Sequence, residues 1–299
     1  MARRKKGDKV DGWLVVDKPT GFSSAKIVAI VKRSFNAQKV GHGGTLDPLA
    51  TGILPIGLGE ATKTMPYIVD ATKEYDFTVK WGEATDSDDC EGEFIHTGGE
   101  IPTQEQILAV LSDFTGSIEQ VPPAYSAIKV DGKRAYALAR AGEDVQLKSR
   151  VVEIQSLTLT SSDFEAGSSN FHVVCGKGTY VRSLGRDIAL KLGTFGHIIA
   201  LRRTRVGPFD LKGAISLELL EDLSHSARAA GLLQPVTTAL DDIPALAVTA
   251  PEATDIQMGR SIQNPKAKQG ICVLMNGTQP VAIAEAKVDI IQPLRVFNM

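Results

Sequence analysis

Cysteine is scarce in this 299-residue chain: three residues, Cys90, Cys175 and Cys272, far apart and odd in number. With no CxxC pair and no even-numbered framework, a disulfide-stapled secreted scaffold is excluded, and a reducing, cytoplasmic setting is expected. No stretch approaches the ~18 consecutive apolar residues of a membrane span. The charged start MARRKKGDKV leads into no apolar run, so no secretory signal is read and no membrane partner is expected. The five histidines, at 42, 96, 172, 197 and 225, show no HxxxH or HExxH spacing, and no metal site is predicted. GKGTY (176–180) lacks the upstream glycine of GxxxxGK[ST] and GLGEATK (57–63) is not GxGxxG, which removes nucleotide hydrolysis. There is no nucleophile elbow, no internal repeat and no low-complexity tract.

What is present is a sizeable apolar content, 43%, enough for a large domain or a main domain with a small companion. Net charge is only −2, yet it is segregated. From 176 to 205 there are seven basic residues against Asp187, and residues 1–9 add five against Asp8. EATDSDDCEGE (83–93) holds six carboxylates and no base. That distribution predicts a basic face toward phosphate and an acidic face turned away from it.

The pattern of apolar residues predicts a strand in WLVVDKPTG (13–21), then a serine-capped helix over 23–35 with Ile27, Ile30 and Val31 on one face. KEYDFTVKW (73–81) alternates, with Tyr75, Phe77, Val79 and Trp81 to one side. TQEQILAVLSDF reads as a helix. VPPAYSAIKVDGKRAYALARAGEDV reads as an excursion from the core. Strands VVEIQSLTLT and FHVVCGKG precede a helix, TYVRSLGRDIALKL, and a strand, HIIALRRTRVGPF. After Asp241, IPALAVT, GICVLMN, PVAIAEAKV and LRVFNM are short β runs separated by polar turns. The fold class expected is α+β, a mixed and mostly antiparallel sheet with flanking helices, plus a small C-terminal β-rich domain leaning on the first. The boundary is placed at 240/241, giving domains 1–240 and 241–299.

One loop stands out. GHGGTLDPLATG (41–52) holds a single acid, Asp47, with no second acid, histidine or metal ligand within three residues. Glycines at 41, 43 and 44 permit close approach or positive φ, and Pro48 stiffens the chain after the aspartate. Such a loop suits a carboxylate held at a fixed angle, as a nucleophile requires, and equally suits an aspartate that caps a turn.

GHGGTLDPLATGIL resembles the catalytic signature GHxGxLDPxAxGxL of the TruB family of tRNA pseudouridine synthases. Every fixed position is met, by Gly41, His42, Gly44, Leu46, Asp47, Pro48, Ala50, Gly52 and Leu54. VDKPTGFSS, KEYDF, PPAYSAIKVDGKRAY, CGKGTYVRSLGRD and LRRTRVG agree in order across about residues 10–210. The resemblance implies the pseudouridine synthase fold with a PUA-like domain after 241 and a thumb at about 120–150. It implies isomerisation of uridine 55 in the TΨC loop of tRNA, by base flipping and a catalytic aspartate, without cofactor. It further implies tRNA as partner, no obligate protein partner, and a monomer.

Residue by residue, it implies Asp47 as the catalytic carboxylate, Arg182 as its pairing arginine and Tyr75 as the tyrosine stacking on the target base. His42 would fill the space the flipped nucleotide vacates, and Tyr180 and Leu201 would line the uracil pocket. Lys18, beside Pro19, would brace the catalytic loop. Lys129, Lys133 and Arg134 would meet phosphate from the thumb, and Arg202 and Arg203 are counted with the RNA-binding set. Residues 241–299 carry five basic and six acidic residues, an unpromising phosphate surface.

Overall fold

The structure, a computed structural model, describes residues 7–126, 129–130, 133–134, 136, 147–223, 231–264 and 267–299. The basic tail at residues 3–6 and much of the excursion lie outside the described residues.

The chain enters a large sheet through β1 (Gly12–Lys18), β2 (Val40–His42), β3 (Thr51–Leu58) and β4 (Lys73–Trp81). A short hairpin, β5 (Glu83–Thr85) and β6 (Phe94–Thr97), follows. Then come β7 (Gly116–Gln120) and the two-residue strands β8 (Lys129–Val130) and β9 (Lys133–Arg134). Long strands β10 (Arg150–Asp163), β11 (Ser168–Cys175) and β12 (Gly196–Val206) and the short β13 (Phe209–Asp210) complete this part. The main sheet runs β1-β3-β12-β4-β11-β10-β7, with β2 on β3 and β13 on β12. Its described pairs are antiparallel except β12 with β3, which are parallel at Arg202↔Thr51 and Arg203↔Gly52. The expected mixed, mostly antiparallel sheet is found.

Strand alternation builds two cores, because successive side chains of a strand leave on opposite faces. From β1, Leu14 and Val16 join the larger core, while Trp13 and Val15 join the other. That is why WLVV reads as continuously apolar rather than alternating. Several helices lie over the larger core, the two longest being of eleven residues each. Ser24–Ser34, whose N-cap Ser23 accepts from the Lys26 amide, buries Ile27, Ile30 and Val31. Val181–Lys191 buries Val181, Leu184 and Ile188. Both were legible by period. In the sheet beneath, Phe77 of β4 is registered against Phe171 of β11 and stacks on it at 5.2 Å.

On the sheet's other face, Trp13, Ile53, Val206 and Phe209 meet Val273, Ile283 and Phe297 of the C-terminal region. Those residues belong to a five-stranded sheet of β14 (Ala245–Ala247), β15 (Ile262–Gln263), β16 (Gly270–Asn276), β17 (Gln279–Ala286) and β18 (Ile290–Val296), in the order β14-β16-β17-β18-β15. Lys63 Nζ donates to the Val296 carbonyl at 2.8 Å, and the Asn298 amide to Glu60 at 2.7 Å. The small sheet leans on the large one, as its size requires.

Two readings need correction. The polar spacer after β14 holds a helix, Ala250–Gln257, with a full capping box between Thr249 and Glu252. The T-x-x-E signal was in the sequence. TQEQILAVLSDF is a helix only over Gln104–Val110, and then tightens to a 3-10 turn over Leu111–Phe114.

Candidate active site

The loop 43–50 is tied down from three directions. From the N-terminal segment, Ser24 Oγ donates to the Leu46 carbonyl at 3.0 Å and accepts from the Leu46 amide at 2.8 Å. From beneath, the Lys18 ammonium donates to the carbonyls of Pro19, Phe22 and Pro48 at 3.0, 2.8 and 3.1 Å. Its burial lowers the amine pKa to about 8, with the Asp47 charge opposing that fall. From β12, Arg203 donates through Nε to the Ile53 carbonyl at 2.7 Å, and through Nη2 to that of Gly44 at 3.1 Å. Gly52 has φ +98, and a Cβ there would stand 2.1 Å from the Arg203 carbonyl oxygen, so glycine is required where β12 closes against the loop.

Asp47 projects from this braced loop toward Arg182, on the first turn of the 181–191 helix. The Arg182 Nε to Asp47 Oδ2 distance is 3.0 Å. Nε makes no well-directed hydrogen bond, so the contact is electrostatic rather than a closed pair. The other guanidinium nitrogens are engaged elsewhere. Nη1 donates to the Ser87 carbonyl at 2.8 Å and stands 3.2 Å from Asp89 Oδ2, and Nη2 donates to the Tyr125 carbonyl at 2.8 Å. The arginine and Asp89 side chains are each 4% exposed, whereas Asp47 is 35% exposed.

Asp47 and Arg182 open onto a cavity of about 350 Å3, a size suited to a small ligand. Tyr75, Leu201, Tyr180, Lys73 and Arg150 share its lining. Tyr75 is registered opposite Arg203 across β4 and β12, and burial raises its phenol pKa against the lowering effect of that arginine. No groups of three or more potential metal ligands occur among the described residues.

The family model described as "TruB family pseudouridylate synthase (N terminal domain)" matches residues 32–181. That described as "tRNA pseudouridylate synthase B C-terminal domain" matches 182–241. Curated relatives called tRNA pseudouridine synthase B span the full chain and the relative's full length. They are 49% identical in Caulobacter sp. (strain K31), 50% in Caulobacter vibrioides and 47% in Rhodospirillum rubrum. The chain belongs to the TruB family of pseudouridylate synthases. Its activity is pseudouridine formation in tRNA. A chain from the crystal structure of a Cbf5–Nop10–Gar1 complex superposes with TM-score 0.75 at 26% identity, over 96% of this chain and 85% of that one. A chain from an H/ACA RNP bound to substrate RNA containing 2'-deoxyuridine shares the fold, with TM-score 0.74 at 23% identity.

Of the residues the TruB signature singled out, Asp47, Tyr75, Tyr180, Arg182 and Leu201 are gathered on the cavity, and Lys18 lies under the loop. His42 ends β2 with Nδ1 buried and unpartnered. Burial, and secondarily Arg203, lowers its imidazole pKa, so the ring is neutral at pH 7. Lys129, Lys133 and Arg134 lie on the paired β8 and β9, at Lys129↔Arg134 and Val130↔Lys133.

The charge reading is corrected. Arg203 is 1% exposed: it supports the loop and lines the cavity rather than standing on the outer basic face. Arg202 pairs with both oxygens of Asp17, at 3.1 and 2.7 Å. Lys177, Arg186, Lys191 and Arg205 reach Asp70, Asp88, Asp113 and Glu74. Every basic residue of 176–205 is thus paired with a carboxylate or buried on carbonyls, because acids remote in sequence fold against it. The acidic run is not turned away either. Asp86, Asp89, Glu91 and Glu93 line a second cavity, of about 580 Å3, together with Asp47 and Arg182. Burial raises the Asp88 pKa to about 6 despite its 2.8 Å contact with Arg186. Burial, then the charges of Asp89 and Asp47, raises that of Glu91.

Asp89, Lys73 and Arg150 were missed. Lys73 stood in the quoted KEYDF block. It is 7% exposed, and its ammonium donates to the Val69 and Ala71 carbonyls. Burial lowers its pKa to about 8.

Proposed function

We propose that this enzyme isomerises uridine 55 in the tRNA TΨC loop. The base flips into the cavity beside Asp47, whose carboxylate acts on the ribosyl–uracil system. The single observation that carries this reading is the pairing of Asp47, on a loop braced from three sides, with the buried Arg182 at the wall of a cavity of nucleoside size. The isomerisation adds no water and transfers no electrons, so one positioned carboxylate meets its chemical demand. A carboxylate can act as the nucleophile in such chemistry without a partner base to activate it.

In this reading Arg182 orients the carboxylate, Tyr75 stacks on the uracil, and Leu201 and Tyr180 bound the pocket. His42, neutral and half-buried, takes the place of the extruded nucleotide, offsetting an unstacking cost of a few kcal/mol. Lys129, Lys133 and Arg134 contact phosphate from the thumb, and Arg202 does so by exchanging Asp17 for phosphate. Residues from 241 on form the second domain, since the five-stranded sheet draws only on residues after 244. No cofactor and no second protein chain enters the scheme. The enzyme works as a monomer in the cytoplasm.

The test is tritium release from a tRNA transcript labelled at C5 of uridine. One equivalent per tRNA is expected, falling to none when position 55 is changed to cytidine. Undiminished release from the changed transcript would overturn the site assignment. Base flipping also requires the T-loop to open, so a role in tRNA folding accompanies catalysis.

A further inference from the structure

Arg150 is the first residue of β10, opposite Gln120 of β7, and it lies in none of the signature blocks. Its guanidinium lies over the Tyr180 ring, 4.6 Å from the centroid, and its Nη2 donates to the Gly178 carbonyl. Its Nε is buried and has no hydrogen-bond partner. Among the described residues no carboxylate pairs with it.

Six of the seven basic residues of 176–205 have such a partner, and the seventh, Arg203, is sunk on carbonyls. The other cations of the cavity wall are engaged too. Arg182 lies between Asp47 and Asp89, and Lys73 caps two carbonyls. Asp47 is the one carboxylate among the residues lining this cavity, against Lys73, Arg150, Arg182 and Arg203. The wall therefore carries excess positive charge. Among the described residues Lys73, Arg203 and Arg150 all meet carbonyls rather than carboxylates, and of these three Arg150 alone keeps a nitrogen, Nε, with no partner.

We propose that Arg150 binds a backbone phosphate of the RNA next to the target uridine. A guanidinium with no carboxylate partner among the described residues matches a phosphate, whose charged oxygens accept strong charge-assisted hydrogen bonds from arginine. A uracil edge is neutral and would leave the charge unmatched. The position of the guanidinium is set in advance. It lies over the Tyr180 ring, and Tyr180 is itself held by Gln120, which accepts from its amide at 2.8 Å and donates to its carbonyl at 3.1 Å. Strand β7 thus sets the arginine through both its register with β10 and its grip on Tyr180. Binding phosphate at the cavity wall aligns the nucleotide whose base enters the cavity, so the contact anchors the backbone during flipping. The inference rests on the reading of this cavity as the nucleotide site.

The experiment uses T-arm stem-loop RNAs with a single uncharged methylphosphonate linkage on either side of the target uridine. Affinities are measured with the full chain in the Asp47→Asn background, so that the RNA is not converted, with and without Arg150→Met. One linkage should cost the Arg150 protein about tenfold in affinity. Arg150→Met should lose a similar factor on ordinary RNA, lose nothing further from that linkage, and lower the slope of log Kd against log salt by about 0.7. Arg150→Lys should recover the slope but not the full affinity. Multiplying losses, or an unchanged salt slope, would overturn the proposal and leave Arg150 as a support for Tyr180. Tritium release by the Asp47→Asn protein would overturn the carboxylate assignment instead, so the two failures are told apart.

Discussion

Two acidic segments converge on one arginine and differ in almost everything else. The 41–52 loop brings Asp47 to Arg182 Nε at 3.0 Å, with the carboxylate 35% exposed to the cavity. The 83–93 segment brings Asp89 to Nη1 at 3.2 Å, with its side chain 4% exposed. Asp89 is also held internally, accepting from Ser87 Oγ at 2.6 Å and from the Glu91 amide at 3.0 Å. The partner is the same in the two, so exposure and unused hydrogen-bonding capacity are what set them apart, and they favour Asp47 as the reacting carboxylate of the proposed function. Asp89 compensates a buried guanidinium, and Asp47 is left available to substrate.

The largest effect that separates them is on stability. Asp89→Ala leaves Arg182 buried with its inner partner gone and should cost about 3–5 kcal/mol in chemical denaturation. Asp47→Ala should cost under about 1 kcal/mol, as expected of a part-exposed pair. Equal losses would erase the distinction. Tyr75→Leu sharpens the comparison from the substrate side. Turnover should fall about 100-fold, about 2.7 kcal/mol, with RNA affinity within a fewfold, and a loss confined to affinity would make Tyr75 a docking residue. Gly52→Ala attacks the brace that holds only the Asp47 segment. With φ +98 and the Arg203 carbonyl at 2.1 Å from the new Cβ, it should destabilise by about 2 kcal/mol. A neutral result would mean the loop is not fixed by β12. Smallest is the effect of Lys177→Met at an exposed ion pair with Asp70, expected within about 0.5 kcal/mol of wild type by the same denaturation assay.

The fold was legible where periodicity was strong. The 73–81 alternation and the two core-facing helices lie where the apolar spacing put them. The catalytic signature named the residues gathered on the cavity, because TLDP, Tyr75 and the first turn of the 181–191 helix each sit in a contiguous motif. What was not legible was pairing between remote segments. Nothing local in EATDSDDCEGE tells that Asp88 and Asp89 meet Arg186 and Arg182 nearly a hundred residues on, so the run was read as a face turned from RNA. The same blindness made Arg203 a surface cation, when β12 buries it beneath the loop. Arg150 lies in no contiguous motif, and that no carboxylate among the described residues pairs with it is visible only once the charges are assembled.

The measurement that bears most directly on the role of Asp47 is the single-turnover rate of Asp47→Asn on C5-tritiated tRNA, with affinity measured on the same protein. Loss of at least ~10⁴-fold in rate, with RNA affinity within about tenfold, is the predicted result, since an attacking carboxylate contributes to chemistry and little to binding. Turnover comparable to the unsubstituted enzyme would contradict it and make Asp47 a turn cap beside Arg182.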